Sequence, residues 1–342
     1  MKLVTFRIQT PLGWFDRAGA LAGDVVLDLN AAYAWYLHQQ GDPQPQAVAN
    51  VLLPSTVLGL LQQGNRAMGQ ARLMLEFYKM GELGDLANPV LGLNNARLLF
   101  AHAEVTLQAP LPNPTSFRDF YAFEEHVRNG FARRKEPIPD PWFELPVYYK
   151  GNPNSVIGPN VEAPWPSYTK RLDYELELGC IIGKAGMNIP ENQATDYIAG
   201  YCIINDVSAR DIQRQEMLCR LGPAKAKDFA TIIGPWLVTP DEVGDAYDLR
   251  MTADINGERW SDGHSGTIHW RFEQMIAHAS KDEWLQPGDI FGSGTVGRGC
   301  GLELDRWIQP GDTMTLAIDK LGELTNKVGN PKVALAEMPV AP

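Results

Sequence analysis

The stretch Arg171–Gly183, RLDYELELGCIIG, constrains this chain more than any other. Its side chains alternate between apolar and acidic with the two-residue period of a β-strand. Tyr174, Leu176, Leu178 and Cys180 fall on one face, and Asp173, Glu175 and Glu177 fall on the other. Three carboxylates along one strand face repel one another. Two arrangements relieve that repulsion. One is an edge strand whose acids stand in water, which is common. The other is a site where the acids share a hard divalent cation such as Mg²⁺ or Ca²⁺. The stretch alone leaves both open.

The rest of the chain narrows the choice. Its 342 residues suffice for a large core and for one large domain or two unequal ones. With 44% hydrophobic and 21% charged residues, the composition is that of a globular protein. A net charge of −11 without a basic block argues against nucleic acid and anionic membrane as partners. An anionic ligand would therefore have to be met by a few placed cations or by a metal. No apolar run approaches the ~20 residues that span a bilayer. The N-terminus, MKLVTFRIQTPLGWFD, alternates like a strand and has no signal-peptide core. Cys180, Cys202, Cys219 and Cys300 are well separated and form no C-x-x-C pair. That spacing speaks against a zinc site and for reduced, mostly buried thiols in a cytosolic protein. None is expected to be catalytic, because no base or metal ligand is spaced near them.

Residues 1–95 read as a small α/β domain. Strands KLVTFRI and GWFDRAG join near Pro11 and Gly13, and VVLDLN follows. A helix is expected over Ala31–Gln40. Another is expected over Arg66–Met80, where Met68, Leu73, Leu75 and Phe77 have helical spacing. Residues 81–95 read as a linker. Residues 96–342 are mostly short strand-like runs between Pro and Gly turns, which predicts an α+β fold with a mainly β second domain. Asn256-Gly257 predicts a hairpin between MTADI and ERW. The tetrapeptide QPGD, at Gln286–Asp289 and again at Gln309–Asp312, predicts two turns that each enter a strand. Further helices are expected over Ser116–Arg134, Ala209–Leu218 and Trp270–Ser280.

Four clusters carry groups suited to chemistry. In RDFYAFEEH, Asp119 and His126 are seven apart, so a helix would set them on one face. In NDVSARDIQ, a buried strand ends at Asp206, Ser208 is placed to cap a helix, and Arg210 and Gln213 share a face of it. In GPAKAKDFATIIGP, Lys225 and Lys227 stand in a loop, and a lysine near carboxylates and a cation can steady an oxyanion. In GSGTVGRGCGLEL, the glycines allow close backbone approach. Glu303, between two leucines, reads as a strand residue able to orient a histidine. Taken singly, each has an ordinary explanation: a packed histidine, a strand-to-helix junction, a solvated lysine.

Together, ELE, NDxSARDxQ, the lysine after the LGP turn, GSGT, LEL and QPGDTMTLAIDKLGELTN resemble the fumarylacetoacetate hydrolase (FAH) family over about Phe117–Asn326. The resemblance implies an FAH-type mixed β-roll catalytic domain behind a small N-terminal domain, a homodimer, and a Mg²⁺ (or Ca²⁺ or Mn²⁺) cofactor. It implies that Asp119, Glu175, Glu177 and Asp206 hold the cation. His126 would be the general base, oriented by Glu303, and Arg210, Gln213 and Lys227 would stabilise an oxyanion. Tyr121, Tyr149 and Thr295 would contact substrate, and Thr231 would belong to a second Mg²⁺ environment. The chain departs from the family pattern at Met217, where the family has a substrate-contacting tyrosine. It departs again where Arg133, Arg134 and Lys135 crowd the place of one arginine, and along Glu136–Phe143. The expected activity is cytoplasmic hydrolysis of a carbon–carbon bond in a fumarylacetoacetate- or acylpyruvate-like 1,3-dicarbonyl acid, in aromatic catabolism. The alternatives are a metal-dependent lyase of the same fold (2-oxo acid decarboxylase, oxo-pentenoate hydratase or sugar-acid dehydratase) and a non-catalytic metal-binding protein. A base with its orienting carboxylate favours the hydrolase.

Overall fold

Strand pairing begins at the second residue of the computed structural model, which describes residues 1–10 and 12–332. Strands β1 (Lys2–Thr10) and β2 (Gly13–Ala22) pair antiparallel, with Thr10 opposite Gly13. Pro11, part of the expected turn, lies outside the described residues. After β3 (Val25–Asp28), the Asp28 carboxylate accepts the Ala31 N–H at 3.0 Å and so starts α1 (Leu29–Gln39). Helices α2 (Pro45–Leu52), α3 (Val57–Gln63) and α4 (Asn65–Lys79) bury apolar residues in the same core. Past residue 95, β4 (Leu99–Ala101) pairs with β3 and β5 (Thr106–Leu107) pairs with β1.

The next segment holds β6 (Ser116–Phe120), α5 (Glu124–Arg134), β7 (Tyr148–Gly151), β8 (Val156–Ile157), β9 (Ala163–Trp165), β10 (Leu172–Asp173) and β11 (Leu176–Ile182). It continues with β12 (Ile198–Asn205), β13 (Ser208–Ala209), α6 (Arg210–Leu218), β14 (Thr231–Val238) and α7 (Pro240–Val243). The last segment holds β15 (Arg250–Ile255), β16 (Glu258–His264), α8 (Phe272–Ala279), β17 (Asp289–Gly292), α9 (Gly301–Leu304), β18 (Thr313–Ile318) and β19 (Gly322–Pro331). One twelve-stranded sheet runs β4-β3-β2-β1-β14-β12-β11-β17-β6-β7, with β5 on β1 and β8 on β14. A five-stranded sheet, β16-β15-β18-β19-β9, packs against it, and β10 pairs with β13. The α+β class expected from the sequence is the one observed. The β1–β14 pairing carries the N-terminal strands into the same sheet as the later ones.

Local chemistry explains the turns. Asn256 and Gly257 have φ of 53° and 80°, the left-handed pair that a two-residue hairpin needs, and they join Ile255 to Glu258. In both QPGD turns the aspartate folds back: Asp289 accepts the Gln286 N–H at 2.9 Å, and Asp312 accepts the Gln309 N–H at 2.7 Å.

Strand β11 is central, between β12 and β17, rather than at an edge. Leu176, Leu178, Cys180 and Ile182 enter one hydrophobic core and Ile181 enters the other, so the strand is buried on both faces. The stretch expected to be one strand is broken: Asp173 ends β10, Glu175 lies between the two strands and Glu177 is on β11, and all three acids are buried in protein rather than standing in water.

Three further sequence expectations need correction. Ser116–Arg134 is not one helix: β6 pairs parallel with β17 and antiparallel with β7, and α5 starts only at Glu124. Pairing on both sides makes Ser116–Phe120 a strand, so Asp119 and His126 do not share a helix face. Glu303 lies on the short helix α9 and not on a strand. Ser208 does not cap α6, because its hydroxyl donates to the Asp206 carbonyl at 2.9 Å. The helix is fixed at its start by the Arg210 guanidinium, which is tied to Asp173.

All four cysteines are free; Cys180, Cys202 and Cys300 are buried and Cys219 is exposed. Burial pushes the Cys202 thiol up to about 12 and raises Cys180 and Cys300 as well. A thiol reagent should therefore titrate one cysteine in the native protein and all four after denaturation. More than one fast-reacting native thiol would contradict this burial. Among the described residues, no helix is long and apolar enough to cross a membrane.

Candidate active site

Neighbouring strands deliver the acids. Asp119 near the end of β6 lies opposite Gly292 on β17, Gly292 lies opposite Gly179 on β11, and Glu177 on β11 lies opposite Ile204 on β12. Asp206 follows directly after β12. Oxygens of Asp119, Glu177 and Asp206 come within 4.8 Å of one another. Gly292 makes this approach possible. A Cβ there would stand 2.5 Å from Asp119 Oδ1 and 2.8 Å from Glu177 Oε2, closer than atoms can pack.

The basic groups interleave with these acids. Arg210 Nε donates to Asp173 at 2.8 Å, its Nη1 donates to Gln213 Oε1 at 2.9 Å, and Nη2 lies 2.8 Å from Glu175 Oε1. Lys227 Nζ donates to Glu175 Oε2 at 2.5 Å and also to the Asp206 carboxylate. The hydroxyl of Tyr149 donates to Asp206 Oδ2 at 2.7 Å. Of the two loop lysines, Lys227 is buried in the site, whereas Lys225 is exposed over the Tyr168 ring. Glu175, expected among the cation ligands, is bound up with Arg210 and Lys227.

Five buried carboxylates, Asp119, Asp173, Glu175, Glu177 and Asp206, face two cations, Arg210 and Lys227. The excess of acid falls unevenly. Burial works against the Glu175 anion, but Lys227 and Arg210 outweigh it and hold this carboxyl below its usual range. Burial also works against the Lys227 cation, and Asp206 with Glu175 more than offset that. Asp119 and Glu177 are pushed well above the usual range, first by burial and then by nearby carboxylates. Among the described residues, both Glu177 oxygens and Asp206 Oδ1 are buried without a hydrogen-bond partner. Buried polar atoms are normally satisfied, and hard oxygen donors arranged this way suit Mg²⁺, Mn²⁺ or Ca²⁺. Asp119, Glu177 and Asp206 therefore fit a divalent cation, with Glu175 adjacent.

The second half of the site is a histidine–glutamate pair. His126 Nδ1 lies 2.6 Å from Glu303 Oε2, joining α5 to α9. The backbone bridge between Glu175 and Cys300 sets this pair beside the acids. Tyr121 packs edge-on against His126, with ring centroids 5.4 Å apart. Thr295 is buried in the loop between β17 and α9, and Thr231 is buried at the start of β14. Sequence reasoning did not foresee three contacts found here. Asp173 anchors Arg210, Asn129 donates to Glu303 Oε1 at 2.8 Å, and the Cys300 thiol lies 3.4 Å from Glu303 Oε2. The expectation that no base or metal ligand is spaced near a cysteine fails in space for Cys300, whose thiol lies within 4.8 Å of ligand atoms of His126 and Glu303. Asn129 was findable, since it stands one helical turn from His126.

A β-rich fold that gathers buried carboxylates, two buried cations and a histidine–glutamate pair defines a metal-fitting enzyme site. The chain belongs to the fumarylacetoacetate hydrolase family: the sequence model described as fumarylacetoacetate (FAA) hydrolase C-terminal matches residues 115–329. A Burkholderia ambifaria protein, provisionally named a hydrolase, is 38% identical over 199 residues, 57% of this chain and 68% of that one. A mitochondrial oxaloacetate tautomerase of Xenopus laevis is 30% identical over 256 residues, 75% of this chain and 78% of that one. Among solved structures, the maleylpyruvate hydrolase of Sphingobium sp. SYK-6, in complex with manganese(II) and pyruvate, superposes with a TM-score of 0.67 at 22% identity. The match covers 97% of this chain and 100% of that one, a likeness of fold.

Proposed function

We propose that this protein is a metal-dependent hydrolase that cleaves a carbon–carbon bond in a 1,3-dicarbonyl acid of the acylpyruvate or fumarylacetoacetate kind. The observation that carries the reading is the 2.6 Å pair of His126 and Glu303 beside the acid cluster. A bound divalent cation would supply Lewis acidity at the dicarbonyl oxygens. Glu303 holds the His126 tautomer, so that the far ring nitrogen is free to take a proton from water. The water oxygen adds to the acyl carbon, and Arg210, Gln213 and Lys227 offer N–H donors to the resulting oxyanion. The carbon–carbon bond then breaks, its electron pair leaves with the pyruvate-like fragment as an enolate, and the His126 proton returns to carbon. The products are two acids. The maleylpyruvate hydrolase of similar fold supports this class of substrate.

A second reading is favoured by the Xenopus laevis relative: keto–enol interconversion of oxaloacetate, which needs proton transfer but no attacking water. An assay panel separates the two. Acylpyruvates, fumarylacetoacetate, maleylpyruvate and oxaloacetate, each with Mg²⁺ or Mn²⁺, should show a dicarbonyl acid converted to two acids. Turnover confined to oxaloacetate tautomerisation, with no acid pair released from any dicarbonyl, would replace the hydrolase reading. Decarboxylation of oxaloacetate alone would point to the lyase.

A further inference from the structure

The Glu303 carboxylate is gripped at both oxygens. Oε2 meets His126 Nδ1 at 2.6 Å and the Cys300 thiol at 3.4 Å. Oε1 accepts Asn129 Nδ2 at 2.8 Å and the Arg298 backbone N–H at 3.1 Å. His126 and Asn129 are three residues apart on α5, so one helical turn presents both side chains to one carboxylate. The Glu303 side chain is 1% exposed, which leaves no bulk water to replace a lost donor. We infer that Asn129 is a positioning residue for the reaction: by fixing Glu303 Oε1 it sets the plane of the carboxylate, and through it the direction of the His126 ring.

The geometry separates this role from plain docking of α5 on α9. A second tie, the exposed ion pair of Arg133 with Asp305, joins α5 to the residue just after α9 without touching Glu303. Asn129 is the side-chain donor to Oε1, and without it that oxygen keeps only a longer backbone bond. The carboxylate is then free to tilt, and the imidazole with it. Misdirection of a base lowers the rate of proton transfer while leaving substrate and cation contacts in place.

The inference rests on the hydrolase reading, and the test keeps the two apart. Asn129→Ala, Asn129→Asp, Arg133→Ala, His126→Ala and the His126→Ala/Asn129→Ala double variant are compared on an acylpyruvate, with Mn²⁺ binding followed by calorimetry. Asn129→Ala should lower kcat roughly 10–100-fold, the effect of losing a hydrogen bond to a charged group. KM and Mn²⁺ affinity should stay within about 3-fold, and Arg133→Ala should keep kcat within the same margin. Asn129→Asp preserves size but sets a second carboxylate against Glu303, so its kcat should fall further. In the His126→Ala background, Asn129→Ala should add less than about 3-fold, because it acts through the imidazole. An equal loss in both backgrounds, or a wild-type kcat for Asn129→Ala while His126→Ala is slow, overturns the positioning role. Wild-type turnover by His126→Ala overturns the hydrolase reading itself, and with it this inference.

Discussion

Replacing His126 by alanine is expected to lower kcat for acylpyruvate cleavage roughly 10²–10⁴-fold, the usual contribution of a placed general base. Water is a poor nucleophile near neutral pH, and His126 stands beside the acid cluster with Glu303 on its Nδ1. Glu303→Gln should cost nearly as much. It keeps the shape of the side chain but loses the charge that stabilises an imidazolium. The double variant should be little slower than either single one, because the pair acts as a unit. Circular dichroism and thermal melting would establish that each variant remains folded. Decarboxylation of oxaloacetate needs no attacking water and should be affected far less. Acylpyruvate cleavage that survives His126→Ala within a few-fold would remove the dyad from the mechanism.

The parts of this site that sequence could reveal were those written in local spacing. Glu177 shows its strand by alternation with Leu176 and Leu178, whereas Glu175 lies just before that strand. Arg210 and Gln213 show their helix by a three-residue step, and their side chains do meet. The two QPGD turns and Asn256-Gly257 carry their own backbone chemistry. Asp119 was misplaced because SFRDF is too short for periodicity to separate strand from helix. Its conformation is decided by β17 and β7, which lie far along the chain. The His126–Glu303 contact spans 177 positions, so no local pattern encodes it, and only the family resemblance suggested it. Cys300 was judged by its distance in sequence from any base, yet three residues of helix bring its thiol back onto Glu303. Lys225 and Lys227 are alike in local pattern, and only the family resemblance singled out Lys227. Burial separates them, and burial is a property of the whole fold.

Glu177→Gln is expected to make the metal-free protein more stable while abolishing its stabilisation by metal. Glu177 is fully buried, and neither of its oxygens has a hydrogen-bond partner among the described residues. Burial, then Asp119 and Asp206, push its carboxyl well above the usual range. A carboxyl raised in the folded state favours folding only while it is protonated in both states. Its contribution is intact below the unfolded value of about 4 and is lost as pH rises toward the folded one. Glutamine has the same size and no such dependence. In chelator, the variant should therefore gain on the wild type as pH rises from 5 to 8, reaching about 1–3 kcal/mol, because a neutral amide costs less to leave buried than a carboxylate. A divalent cation should act in the opposite direction on the wild type. It displaces protons from Asp119 and Glu177, so its stabilisation grows with pH and with its concentration. Denaturant melts of both proteins in EDTA and in Mn²⁺, at pH 5 and pH 8, would measure these differences. The carboxylate cage would be refuted by a Glu177→Gln variant that Mn²⁺ stabilises as much as it does the wild type. It would be refuted equally by a variant less stable than the wild type in EDTA at pH 8, because that result would mean the Glu177 oxygens are satisfied without a cation.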